Sequence, residues 1–152
     1  MEDPTPIVDA PSKPPQRFGR ARTAVVVCWA QALYFVVLGP WPLIDMRSFQ
    51  AVTGEKTDHW LVKTVALLIT AIGIVLLVAA WRRRVTSEIA LLGFASAAAL
   101  ASIDVLYVFR QTISPIYLAD AAVEMVFVVG WTVYGIWSAL INRESAKREG
   151  RA

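Results

Sequence analysis

Four charged side chains stand where an otherwise apolar sequence would be expected to carry none: Lys63, Asp104, Asp120 and Glu124. Two of them are four residues apart in YLADAAVEMVFVVGW, residues 117–131. On a helix that spacing stacks both carboxyls on one face, a turn apart. Paired carboxyls in an apolar setting can hold a cation, pass a proton, or do acid–base work on a lipid-like substrate. An ionised acid in hydrocarbon costs about 3 kcal/mol or more. Such groups therefore persist when paired, when protonated or when they perform a function.

Other chemistries have less support. No H-E-x-x-H, G-x-S-x-G or P-loop pattern occurs, so no catalytic residue is assigned. The one histidine, His59, reads as a solvated interface residue. The one cysteine, Cys28, excludes a disulfide within the chain and reads as a small buried hydrophobe. Three carboxylates without histidine or thiolate would suit only a hard cation, and neither a metal site nor a cofactor is expected.

These residues must be positioned by membrane-spanning elements. Of 152 residues, 57% are apolar and 18% charged, and the mean hydropathy is +0.53. The apolar residues fall in blocks near the length of a membrane span. Spans are expected over about 23–43, 60–81, 87–109 and 115–141, forming one domain over 23–141. Asp58 is placed to cap the second and Thr86 or Ser87 the third. Glu88 in the first turn of the third complements the helix dipole. Ser114-Pro115 reads as a cap followed by proline at the first helical position of the fourth. Residues 1–22 contain five of the eight prolines and read as a disordered tail. The first apolar block lacks an A-x-A-like cleavage site, which predicts an uncleaved span. Residues 142–152 read as a basic tail.

Charge sets the expected orientation. Eleven of the fifteen Lys and Arg residues lie in the two tails and at Arg82–Arg84, and four lie on the other side: Arg47, Lys56, Lys63 and Arg110. By the positive-inside rule both termini are cytoplasmic. The same rule accounts for the net charge of +3 without nucleic acid, since no basic patch with interleaved aromatics lies outside the spans. Between the first two spans, Ile44, Met46, Phe49 and Val52 predict a short amphipathic helical turn ended by Gly54. It would lie on the membrane surface or close over a site.

At 100° per residue, each span presents one polar side. Tyr117, Asp120, Glu124, Trp131, Tyr134, Gly135, Ser138 and Asn142 share a face of the fourth. Gly93, Ala97, Ala101 and Asp104 form a small-residue seam on the third, as likely to pack within the bundle as between subunits. Lys63, Ala66, Thr70 and Gly73 lie together on the second, and Gln31 and Tyr34 on the first. Along the axis, Asp120 lies about 8 Å and Glu124 about 14 Å from Pro115, with Asp104 about 8 Å from Phe109. These positions predict one outward-facing acidic pocket. Asp120, Glu124 and Asp104 would bind a ligand, proton or cation, with Lys63 as counter-charge. Tyr117, Tyr34, Gln31 and Trp131 would line it.

The expected fold is an all-α integral membrane protein, an antiparallel four-helix bundle in a plasma or inner membrane. Its partners would be the lipid bilayer and either a second copy or another membrane protein. Two other roles stay open. One is a structural or accessory subunit, whose charges only fix helix packing through pairs such as Lys63 or Arg110 with Asp104 or Asp120. The other is an enzyme acting on a lipid-like substrate.

The run RSFQAVTGEKTDHWLVKTVALL, residues 47–68, resembles a segment found in a group of bacterial membrane proteins. Four short spans with an aromatic-rich outer loop are similar to the broad DoxX-like class of small four-helix membrane proteins. The resemblance implies a bacterial inner membrane and carries over no functional residue. A similarity to sterol-isomerase-like membrane domains holds at the level of fold alone, without their motif residues.

Overall fold

The computed structural model describes residues 16–149. Six helices run in order: α1 (Gln16–Leu38), α2 (Trp41–Ile44), α3 (Met46–Thr53), α4 (His59–Trp81), α5 (Ser87–Phe109) and α6 (Tyr117–Glu149). No strand occurs among the described residues. Four segments are long and apolar enough to cross a membrane: Arg22–Ile44, His59–Trp81, Ser87–Phe109 and Tyr117–Ile141. A 23-residue helix such as α4 or α5 extends about 35 Å, enough for a hydrocarbon core of ~30 Å. The all-α, four-helix membrane architecture thus agrees with the sequence pattern.

The helix ends differ from expectation in places. Helix α1 starts at Gln16, so residues 16–22 of the expected tail are helical, while residues 1–15 lie outside the description. Helix α6 likewise runs through the expected basic tail to Glu149, and residues 150–152 lie outside the description. Asp58 precedes α4 without a side-chain cap bond. The Thr86 hydroxyl does cap α5, accepting from the Ile89 amide. Pro115 sits in a turn two residues ahead of α6, where the Tyr117, Leu118 and Ala119 amides bond three residues back in the tighter 3₁₀ pattern.

Helix α1 closes at Gly39-Pro40, because proline cannot continue the hydrogen-bond ladder. Gly39 also lies against α4: a Cβ there would come within 2.8 Å of the Thr70 hydroxyl oxygen. Asp45 then caps α3, accepting from the Arg47 and Ser48 amides at 3.0 and 3.2 Å. Gly54 ends α3 at φ +88°, a left-handed conformation that favours glycine. The Trp41 indole donates to Ser48 at 2.9 Å and meets Phe49 edge-on, tying α2 to α3.

Helix α4 packs chiefly on α1, α5 chiefly on α6, and the two pairs meet through α1 and α6. Consecutive helices α4 and α5 touch little, although only a short turn at Arg82–Thr86 joins them. The seam of Gly93, Ala97, Ala101 and Asp104 is buried within the bundle. Gly93 is essential to that packing, since a Cβ there would meet the Trp131 indole at 2.6 Å. Around this contact lies the core: Cys28, Ala32, Phe35, Leu76, Ala80 and Ala97, with Phe127 and Trp131.

Candidate functional site

Polar groups enter the bundle at two levels. At the level of Gly93, Gln31 is fully buried and donates to the Gly93 carbonyl at 2.9 Å and to Ser96 at 3.3 Å. Its own oxygen accepts from the Trp131 indole at 2.7 Å. Donors and acceptors match, so α1, α5 and α6 are joined by a closed network. Gln31 and Trp131 therefore work as a structural clamp and do not line the cavity described next.

Toward the α2–α3 end, a cavity of about 620 Å³ opens between the helices. Asp104, Asp120, Glu124, Tyr34 and Tyr117 all face it. Helix α5 brings Asp104 on its buried seam, α6 brings Tyr117, Asp120 and Glu124 on successive turns, and α1 brings Tyr34. The Tyr34 hydroxyl donates to Asp120, and its ring packs edge-on against Phe127. Asp104 is 6% exposed and Glu124 1%. Each keeps one buried carboxyl oxygen, Asp104 Oδ2 and Glu124 Oε2, without a hydrogen-bond partner. An orphaned buried oxygen is uncommon in a folded protein, because the lost hydration is not replaced.

No lysine or arginine among the described residues pairs with these acids. Lys63 is not brought to them. It is exposed on α4 and absent from the cavity wall, which that helix builds from Leu61, Val62, Val65, Ala66 and Ile69. Lys63 points about 100° away from its neighbour Val62 on the helical wheel. Arg110 is also exposed, with its guanidinium 5.9 Å from the Tyr107 ring.

The cation that touches residues of the cavity wall is Lys56. Its ammonium donates to the Thr53 carbonyl at 2.9 Å and lies 5.1 Å from the Tyr117 ring centre. Burial pushes the Lys56 ammonium below the usual lysine range. Sequence periodicity does not reach this residue, because a loop places it. That loop is set by the Gly54 conformation and by Gln50, whose amide donates to the Lys56 carbonyl at 3.1 Å. Phe49, Val52 and Thr53 of α3 also face the cavity, so the short helix covers a site as well as lying at a surface.

Apart from Tyr34, Tyr117 and Thr53, the wall around the acids is largely apolar. Val65 and Ile69 of α4 and Leu100 and Ile103 of α5 all belong to the cavity wall, and these two helices touch little. No three His, Cys, Asp or Glu side chains among the described residues converge as metal ligands would.

Fold and site together define a small multi-pass membrane protein of four spans with an acidic cavity at one end. No protein family, curated protein or solved structure matches the chain.

Proposed function

We propose that this small integral membrane protein binds or passes a small ligand, proton or cation in an outward-facing acidic pocket. Asp104, Asp120 and Glu124 are its binding groups, with Tyr34 and Tyr117 at its wall and Lys56 against Thr53 and Tyr117. The observation that carries the reading is that Asp104 and Glu124, each with one buried, unpartnered carboxyl oxygen, belong to the lining of a cavity of about 620 Å³. Small-molecule sites commonly enclose ~300–1,000 Å³. The Lys and Arg bias supports cytoplasmic termini, which turns the cavity outward. The resemblance of residues 47–68 supports a bacterial inner membrane. A purely structural role for the acids has less support, because the ion pairs it requires are absent among the described residues.

Thermal melting of the full chain in nanodiscs tests the reading, with sodium, potassium, magnesium, calcium and methylammonium as probes. A ligand at a hundred times its Kd adds about 2.7 kcal/mol of stability. At least one probe is expected to raise the wild-type midpoint and to lose most of that effect in Asp104→Asn and Glu124→Gln. If none does, if proton flux into liposomes is the same for wild type and Glu124→Gln, and if the larger ammonium probe dodecylamine shows no saturable binding, the reading fails.

A second reading is an enzyme acting on a lipid-like substrate. It draws on the gap between α4 and α5 and on Tyr34 donating to Asp120, a proton donor–acceptor pair at the wall. Turnover of such a substrate that Tyr34→Phe abolishes would favour it.

A further inference from the structure

The cavity differs from an inorganic-ion site in three respects. Its volume of about 620 Å³ far exceeds what a bare ion occupies. Its lining is mostly apolar, with Asp104, Asp120, Glu124, Tyr34, Tyr117 and Thr53 as its polar side chains. Its acids do not converge as metal ligands. A hard cation needs six or more oxygens around it, or waters in their place, and long apolar walls supply neither.

The opening is apolar too. Leu61, Val65, Ile103 and Ile116 belong to the cavity wall and are also exposed on the outside of the bundle. They flank the side where α4 and α5 barely touch. In a membrane, an apolar rim on the side of a bundle faces lipid chains. A route through it suits a molecule already dissolved in the bilayer. The charged groups in its lining are carboxyls, which accept hydrogen bonds when ionised and attract positive charge. Lys56 is held by the Thr53 carbonyl and the Tyr117 ring and does not pair with the acids.

We infer that the pocket takes a cationic amphiphile, an alkylammonium with an apolar body, which enters sideways from the bilayer between α4 and α5. The inference rests on the acidic-pocket reading above and names its ligand class. The ammonium head donates to the carboxyls of Asp104 and Glu124, and the apolar body lies along Val65, Ile69, Leu100 and Ile103. A primary ammonium carries three donors, a quaternary one none, and an alcohol one donor without charge. The expected order of binding is therefore dodecylamine, then dodecyltrimethylammonium, then dodecanol. Dodecylamine is protonated at neutral pH, as lysine is.

Binding of tritiated dodecylamine to the full chain in phosphatidylcholine nanodiscs tests this, with uptake by empty nanodiscs subtracted. The wild type is expected to show one saturable component. It weakens at least tenfold in Asp104→Asn and in Glu124→Gln, and dodecanol competes poorly for it. Val65→Trp, which narrows the gap at an exposed position, is expected to slow uptake of dodecylamine. Circular dichroism and a monodisperse elution profile show whether each variant is folded. Equal competition by dodecanol, or wild-type affinity in both acid variants, overturns the ligand class. Unchanged uptake in folded Val65→Trp overturns the sideways route. If dodecylamine shows no saturable component while an inorganic cation or methylammonium still raises the wild-type midpoint, the amphiphile is wrong and the pocket stands. If neither binds, both readings fall.

Discussion

Gln31 and Glu124 are both fully buried polar side chains in the same bundle, and their surroundings are opposite. Gln31 donates to the Gly93 carbonyl and accepts from the Trp131 indole, with tight small-residue packing around it. Glu124 keeps an oxygen without a partner and faces a cavity. Helices come together closely at the first level and leave a cavity between them at the second. A satisfied network fixes one arrangement of helices. An unsatisfied pair of acids holds a group ready at a cost in stability, as binding sites often do. The two levels should therefore respond to substitution with opposite signs.

The largest effect is expected at the closed level. Trp131→Ala removes a buried indole against Gly93 and leaves the Gln31 oxygen unpartnered, which should cost about 3–5 kcal/mol. Gln31→Met keeps much of the volume but orphans the Trp131 N–H, at a cost of about 1–3 kcal/mol. Equilibrium unfolding in detergent reads both. A Trp131→Ala protein that unfolds like wild type would remove the clamp from the comparison.

The cavity level should move the other way. Glu124→Gln removes a group that no partner stabilises, so it is expected to be as stable as wild type or more so, by up to about 2 kcal/mol. The same unfolding measurement checks it without ligand present. A loss comparable to that of Trp131→Ala would mean that Glu124 is structural, and the contrast between the levels would collapse.

How much of this could be read in the sequence follows from what periodicity encodes. Gly93, Ala97, Ala101 and Asp104 are a 100° pattern, and all four are buried together. Asp120 and Glu124 share a turn-to-turn stack and face one cavity. Depth is read less well: the shared polar faces put Gln31 and Trp131 among the lining residues, although Trp131 lies seven residues past Glu124, about 10 Å further along α6, which separates the clamp from the acids. Lys63 shows where the method stops. Its angle on α4 is known from sequence, but whether another helix covers that angle near a helix end is a tertiary fact. Lys56 is harder still, because its position depends on a glycine turn and a side-chain bond, which have no repeat.

The smallest expected effect concerns the cover over the cavity. Hydrogen bonds from the Ser48 backbone, then the Ser48 side chain, then the Arg47 backbone hold the Asp45 carboxyl below its usual range. Because the folded value lies below that of the unfolded chain, about 3.9, the cap contributes fully above that pH. Its contribution is lost as pH falls through the lower folded value. Amide exchange at Arg47 and Ser48, corrected for intrinsic rates, should therefore show weakening protection as pH is lowered below about 4. Asp45→Asn separates charge from geometry, since asparagine caps a helix without titrating there. The variant is expected to keep protection at neutral pH and to lose its acid dependence. Should Asp45→Asn loosen α3 as much as acid does, the carboxylate charge would be holding the cover in place. Trp41, bonded to Ser48 and stacked edge-on against Phe49, would then transmit that charge to the cavity wall.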